Sequence, residues 1–252
     1  MEFSLGNSPS VDVVFRRYDP AMFPKFRLLF EVPSDDNPLR FFAQPSEESN
    51  FAVVMENHAG KDVTAMRYNW VMTAQDGSVK KHKCSSDSYM VDVYYPVLKA
   101  DDRLLICRSK SIHESLIDHV LNGGGTMGGR IATSVSSPFV LTSLRLEIDM
   151  LVFADGEIAG PDTERFAAEL SCRKPAAEFI AKQVRAAESD HRDVTPVLSA
   201  LAQVPHLRDD YLAYWTQHYA SWYLRTVQHE TVSGTVLRHL ENRPTLPKFY
   251  RR

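Results

Sequence analysis

The first half of the chain alternates apolar and polar residues with a period of two, the pattern of strands that bury one face. In the run from Thr64 to Thr73 every second residue is large and apolar, with Trp70 near its centre. An Asp76-Gly77 turn follows directly, and Asp-Gly between two alternating runs is a strong hairpin signal. The pattern therefore predicts an antiparallel hairpin of Thr64–Thr73 with Ser78–Lys83, in which Trp70 is buried between two sheets.

Further strands are predicted from the same period. The clearest is Leu144–Phe153, where apolar residues face one way and Arg145, Glu147 and Asp149 face the other. That alternation predicts one buried and one solvated face, as in an antiparallel sheet covered on one side. The remaining strands are predicted at Lys25–Val32, Phe51–Asn57, Arg103–Ser109 and Glu157–Ala159.

Helical spacing replaces the strand pattern after Gly160-Pro161-Asp162. Phe166, Leu170, Phe179 and Val184 lie in helical stretches, and we expect Pro175 to break or kink one of them. Further helices are predicted at Val194–Ala202, Asp209–His229 and Thr235–Glu241, with one earlier short helix over Ser111–Leu121. Strands followed by helices are typical of an α+β protein.

This order predicts four parts along the chain. Residues 1–24 are expected to be irregular, because prolines interrupt them, and residues 25–160 to form an antiparallel β-sandwich. Residues 161–241 form a helical segment that packs on the sandwich or on a second copy of the chain. Residues 242–252 are a basic tail that contains proline.

Composition narrows the class of protein. The chain has 252 residues, of which 44% are hydrophobic and 24% charged, with a formal net charge of −3. These values are ordinary for a globular protein, and the charge does not favour nucleic acid as a partner. No apolar run approaches the roughly 20 residues that a membrane-spanning helix needs. Because no signal peptide is visible at the N-terminus, we expect a cytoplasmic protein, or a secreted or periplasmic one if a leader was removed.

Three cysteines are too few for a disulfide framework. Cys84 and Cys107 are the pair expected to be able to bridge, because both fall in the β-rich half while Cys172 falls in a helix. A reducing compartment would keep them as thiols.

The order of motifs between Phe51 and Asp162 carries a resemblance. A strand with Glu56-Asn57 precedes the Trp70 strand and its Asp-Gly hairpin, and Ile148–Phe153 then leads through Asp155-Gly156 into Gly160-Pro161-Asp162. This arrangement, over about residues 50–165, resembles uncharacterised bacterial immunoglobulin-like or fibronectin type III-like β-sandwich domains. The resemblance implies an immunoglobulin-like fold and no particular activity. The strands 51–57 and 144–153 lack the cysteines that form the inter-sheet disulfide of antibody domains.

Motifs for cofactors and metals do not fit their required settings. Gly123–Gly128 matches G-x-G-x-x-G, but a helix is predicted before it and a strand after it, which reverses the order that binds a dinucleotide. We therefore predict a mobile loop there and no nucleotide site. His113 and His119 are too far apart for the zinc-binding H-E-x-x-H pattern, so no metal is expected.

The Asp209–His229 helix is unusually aromatic. Its stripe at three- and four-residue spacing ordinarily indicates a core face, but it could also be an exposed surface for a partner. The residues of that candidate partner surface are Tyr211, Trp215, Tyr219 and Trp222.

These patterns favour a non-enzymatic protein-interaction or structural module, with a protein partner or self-association. Loops 85–100 and 122–138 are further candidate contact surfaces. The alternative is a hydrolase acting on a glycan or small molecule, with carboxylates drawn from loop pairs such as Glu47-Glu48 and Asp101-Asp102. A concave pocket that holds two carboxylates would favour the hydrolase, and an apolar patch without them would favour binding.

Overall fold

The computed structural model describes residues 2–31, 39, 42–44, 46–89, 96–108, 110–122, 131–132, 141–205, 207, 209–227, 238, 240–242 and 245–251. They form an α+β protein with two mostly antiparallel sheets. The chain divides into two compact units. The β-rich unit lies within Met1–Asp87, Pro96–Pro161 and Tyr250–Arg252, and the helical unit within Ser88–Tyr95 and Asp162–Phe249.

The strands are, in chain order, β1 Glu2–Leu5, β2 Val13–Arg17, β3 Val53–Asn57, β4 Val63–Ala74, β5 Val79–Asp87, β6 Arg103–Ile106, β7 Lys110–His113, β8 Ile131–Ala132, β9 Leu141–Phe153, β10 Glu157–Ala159 and β11 Tyr250–Arg251. The helices are α1 Pro24–Arg27, α2 Glu114–Leu121, α3 Phe166–Ser171, α4 Arg173–Ser189, α5 Val194–Ala202 and α6 Tyr211–Val227. Ser46–Phe51 forms a 3-10 helix.

The first sheet is centred on β9. Its strand order is β11-β10-β9-β4-β5, and β1 also pairs with β9. β1 runs parallel to the first part of β9, with Leu5 opposite Leu146, whereas β10 runs antiparallel to its end, with Ile158 opposite Val152. The β4–β5 pairing, in which Trp70 lies opposite His82, confirms the predicted hairpin.

The second sheet has the order β2-β3-β6-β7-β8 and shares a core with the first. Val53 and Met55 of β3 belong to the same buried cluster as Tyr68 and Trp70 of β4. Trp70 is fully buried in that cluster, as the alternation of its strand predicted. The burial of two large aromatic rings makes this the principal core of the β-rich unit.

A β-bulge in β9 shifts its pairing register with β4 by one residue. Tyr68 pairs with Ile148 while Arg67 pairs with Met150, so Asp149 is an extra residue on β9. The bulge moves Leu151 and Phe153 onto the core face in place of Met150 and Val152. Asp149 is itself buried, so its predicted solvated position was wrong.

The predicted strand Lys25–Val32 is wrong over its described residues 25–31, which contain helix α1 followed by a turn. Pro24 occupies the first turn of α1, where its fixed φ suits a helix and its missing N–H costs nothing. Phe26, Leu29 and Phe30 follow at helical spacing and pack in a second buried cluster with Leu105 and Ile117.

Three other segments differ from the sequence-based expectation. Residues 1–24 were expected to be irregular but contain β1 and β2, which are short strands completed by pairing with β9 and β3. The predicted helix Ser111–Leu121 begins only at Glu114, because Ile112 pairs with Leu105 as part of β7. The basic tail, for which no strand was predicted, contains β11, which pairs in parallel with β10.

The helical unit is built around one buried cluster. α5 has the predicted bounds, and Asp193 caps it by accepting a hydrogen bond from the Thr195 backbone N–H. Pro175 lies in the first turn of α4, where it does not interrupt the helix. The predicted helix Thr235–Glu241 lies partly outside the described residues, but Arg238, Leu240 and Glu241 are helical.

Cys84 and Cys107 are free thiols in separate buried clusters. Burial raises the pKa of Cys84 to about 11, although a hydrogen bond with Tyr68 opposes this rise. A thiol with so high a pKa is a poor nucleophile at neutral pH.

Candidate functional site

Two of the four loop carboxylates named for the hydrolase alternative, Glu48 and Asp102, have structural partners. Glu48 is buried and accepts hydrogen bonds from the backbone N–H of Arg108 at 3.2 Å and from its Nε at 2.9 Å. Asp102 accepts hydrogen bonds from the backbone N–H of Arg103 at 2.7 Å and from Ser115 Oγ at 2.6 Å. These contacts fix the 3-10 helix and the residues at the start of β6 in place. They account for both carboxylates without a substrate.

A charge network lies on the second sheet. Glu56 of β3 accepts hydrogen bonds from Arg16 Nε at 2.8 Å and from Arg103 Nε at 3.2 Å. Arg103 also donates to Glu114 Oε2 at 3.1 Å, which joins β6 to the start of α2. Both arginine side chains are about half exposed to solvent. The ion pairs therefore link neighbouring elements but add little to the free energy of unfolding.

His113 is buried directly beside this network. Burial lowers its pKa to about 4, against an opposing effect of Asp102, with a smaller lowering by Lys99. The ring is therefore neutral at pH 7. Within the described residues, no group of three or more His, Cys, Asp or Glu side chains could hold a metal ion.

Parts of the predicted contact surfaces fall outside the structural description. The Gly123–Gly128 motif lies outside the described residues, as do residues 90–95 of loop 85–100 and residues 123–130 and 133–138 of loop 122–138. Among the helices that the structure describes, none has the length and apolarity to cross a membrane.

The aromatic residues of α6 do not form one exposed patch. Trp215 and Tyr219 are buried in the helical core, and Tyr211 packs partly against it. The Arg173 guanidinium stacks 4.1 Å from the centre of the Trp215 ring. Of the four residues proposed as a partner surface, Trp222 is the most exposed, at 37%. Because α6 packs on α4 and α5, the centre of its wide aromatic stripe is buried. The predicted partner surface is therefore wrong for Trp215 and Tyr219.

A groove lies instead between α4, the end of α5 and the start of α6. It has a volume of about 320 Å³, and its lining is almost wholly apolar. Its described lining residues are Pro175, Phe179, Leu201, Val204, Asp210, Leu212, Ala213 and Thr216. We call this surface the apolar groove.

Helix geometry explains how the apolar groove is built. Pro175 and Phe179 are four residues apart on α4, and Leu212 and Thr216 are four apart on α6, so each pair lies on one helix face. Asp210 precedes α6 and caps its first turn, since its carboxylate accepts a hydrogen bond from the Ala213 N–H at 3.0 Å. The Thr216 hydroxyl donates to the Leu212 carbonyl at 2.8 Å, so it presents its methyl group without an unpaired donor.

The apolar groove leaves large side chains in water. Phe179 and Leu212 are each 45% exposed, and Val204, just after the end of α5, is 36% exposed. A cluster of such residues on one face indicates an interaction site more often than scattered single ones do. Asp210 is the one charged side chain among the described lining residues. The groove therefore suits apolar groups accompanied by a positive charge.

Sequence reasoning did not identify the apolar groove. The sequence pattern places Phe179 in a helix but does not indicate which side of that helix is exposed. Leu212 lies outside the aromatic stripe of α6. A usable signal was present in α5, because Val197 and Leu201 make that short helix apolar on more than one side. A short helix of that kind has more apolar surface than one neighbour can cover.

No protein-family model matches the chain, no curated protein matches it, and no solved structure matches it.

Proposed function

We propose that this protein is a non-enzymatic protein-interaction module that binds a partner segment in the apolar groove. The observation that carries the proposal is the exposure of Phe179 and Leu212 on facing helices around one concave surface. A helix-in-groove partner would insert two or three apolar side chains at helical spacing. Asp210 at the rim selects a partner that carries Lys or Arg beside those anchors.

The test uses a library of random helical peptides, displayed on phage and selected against the full chain. We expect enriched peptides to combine apolar residues at i, i+3 or i+4 with a basic residue. Their affinity, measured by fluorescence anisotropy, should fall by about tenfold or more in a Phe179→Ser, Leu212→Ser variant, since buried anchors dominate such interfaces. Val79→Ser is the matched control, because Val79 is an exposed apolar residue on β5.

Two results would contradict the proposal. The first is a selection whose peptides bind the doubly substituted chain as well as the wild type. The second is a wild-type chain that light scattering shows to be a dimer and that the double substitution converts to a monomer, because a second copy would then occupy the groove. Tyr214 and Trp222 are the exposed aromatic residues among the described part of α6, and neither lines the groove. A Trp222→Ala variant should therefore leave peptide affinity unchanged.

We further infer that the β-rich unit is an immunoglobulin-like sandwich over about residues 50–165. Two mostly antiparallel sheets that share a core around Trp70 support this inference. A fold of this kind hosts many functions, so it adds no activity to the proposal. An experimental structure whose two sheets do not face each other across Trp70 would contradict it.

A further inference from the structure

The β-rich unit contains a cleft of about 770 Å³. Its lining includes four aromatic rings and two arginines, and we call it the arginine cleft. These residues are Phe3, Arg17, Tyr18, Arg27, Phe30 and Phe51. Pockets of this volume, apolar in lining with a few polar groups, are the usual sites for small molecules.

Aromatic side chains form the walls of the arginine cleft. The Tyr18 and Phe30 rings lie 5.0 Å apart between centroids, and Phe3 meets Phe51 edge-on at 6.2 Å. Burial raises the pKa of Tyr18 to about 12, against the opposing charge of Arg27. Aromatic walls of this kind offer faces on which a flat ring can stack.

Two guanidinium groups line the arginine cleft, while Asp19 and Glu31 lie close enough to Tyr18 to help raise its pKa. The Arg17 guanidinium lies 4.9 Å from the centre of the Phe3 ring, and the structural description shows no carboxylate paired with it. Arg27 pairs with Glu31 at 2.8 Å, but both side chains are more than half exposed, so that pair is weak and replaceable. No Asp or Glu is found among the described lining residues.

We propose that the arginine cleft binds a small aromatic anion, a flat ring that bears a carboxylate or a phosphate. The ring would stack on the aromatic walls, and Arg17 would hold the anionic group through its two parallel N–H donors. This site is separate in kind from the apolar groove, because it selects negative charge whereas Asp210 selects positive charge.

The experiment measures binding of three probes to the full chain by saturation-transfer NMR and calorimetry. They are indole-3-acetate, its neutral analogue indole-3-acetamide, and cyclohexylacetate, which has the charge without the flat ring. Indole-3-acetate should bind about tenfold or more tightly than either analogue, because each analogue lacks one of the two recognised features. Phenylacetate and phenyl phosphate then show which anionic group binds more tightly.

Arg17→Gln should reduce the affinity for indole-3-acetate by about tenfold while leaving the weak affinity for the amide unchanged. Arg145→Gln is the matched control, since Arg145 is also an exposed strand arginine of the β-rich unit. Equal binding of acid and amide by the wild type would overturn the proposal without any variant. So would the absence of saturable binding by every aromatic anion, or an Arg17→Gln chain, folded by circular dichroism, with undiminished affinity.

Discussion

At the scale of single residues, burial decides what each polar or aromatic side chain can do. Trp215, Tyr219 and His113 all occur in sequence contexts open to a functional interpretation, yet each of them is buried. Among the described residues, the buried indole N–H of Trp70 has no hydrogen-bond partner, which costs stability that its apolar contacts offset. These residues support the folded state and leave recognition to more exposed ones.

Truncation of Trp70 to Ala should lower the free energy of unfolding by about 3–5 kcal/mol, because it leaves a large cavity between the two sheets. Trp70→Phe should cost less, since it keeps a ring and removes the unpaired N–H. Urea denaturation followed by circular dichroism measures both. Val79→Ala, on the exposed face of β5, should change stability by less than about 0.5 kcal/mol. An unchanged urea midpoint for Trp70→Ala would exclude the packing described above.

His113 should make the protein less stable in mild acid. Its folded-state pKa of about 4 lies below its ordinary value of 6.5, so the unfolded chain binds a proton first as the pH falls. The contribution of neutral His113 is complete above about pH 6.5 and is lost between that pH and about 4, at a cost on the order of 2–3 kcal/mol. Urea midpoints at a series of pH values should decline across this window. In a His113→Gln variant this decline should be absent, and a persistent decline would assign it to other groups.

At the scale of elements, the sequence predicts that a strand exists more accurately than it predicts where the strand ends or which of its residues face the core. Alternation around Trp70 was enough for the β4–β5 hairpin because the Asp76-Gly77 turn determines its register. The same alternation failed at Asp149, since a bulge adds one residue to a strand and leaves no mark in the pattern. β1 and β2 are too short to show a period, and they become strands through partners that are distant in sequence.

The candidate sites were less predictable than the fold for a related reason. Phe179 and Leu212 have no unusual spacing, and only the angle between α4 and α6 leaves them uncovered beside one another. Arg17 and Phe30 likewise come from β2 and the segment after α1, and nothing local indicates that they line one cleft. A concave surface is a property of how elements pack, and a single sequence does not contain that information directly.

Gly160 lies against the bulged strand β9, and we expect it to tolerate an added side chain less well than Gly77 does. It has a φ of +104°, and an added Cβ would lie 2.4 Å from the Asp149 carbonyl oxygen. Gly160→Ala should therefore destabilise the protein by about 3 kcal/mol, combining backbone strain with a clash that one packed strand cannot relieve. Gly77→Ala is the control, because φ there is +81° with open space around it, and should cost about 1–2 kcal/mol. Equal thermal shifts for the two variants would contradict the close approach.

At the scale of the whole molecule, the sheet joins residues from far apart in the chain. Tyr250 donates a backbone hydrogen bond to the Gly156 carbonyl at 3.0 Å, and its hydroxyl donates to Asp155 at 2.9 Å. Burial alone would raise the pKa of Asp155, but hydrogen bonds from Lys61, the Glu157 backbone and Tyr250 lower it to about 2. Arg251 donates to the carbonyls of Gly160 and Pro161.

Removal of residues 250–252 should lower the free energy of unfolding by about 1–2 kcal/mol, since it deletes a few partly exposed hydrogen bonds. Tyr250→Phe should lose only a fraction of this, because β11 keeps its backbone pairing with β10. Thermal denaturation of the two variants beside the wild type measures the difference. A truncated chain as stable as the wild type would show that β11 contributes nothing to the sheet.

The position of β9 at the centre of the first sheet has a consequence for synthesis on the ribosome. Glu2 pairs with Ser143, and Glu157 pairs with Tyr250, so the first sheet needs segments that leave the ribosome at well-separated times. β1 must therefore wait without its partner until β9 has emerged, and an unpaired apolar strand of this kind is a target for chaperones. The helical unit, by contrast, is mostly one continuous stretch of chain and can form as it emerges. Of the two units, the β-rich one should therefore start to form earlier during synthesis but be completed later.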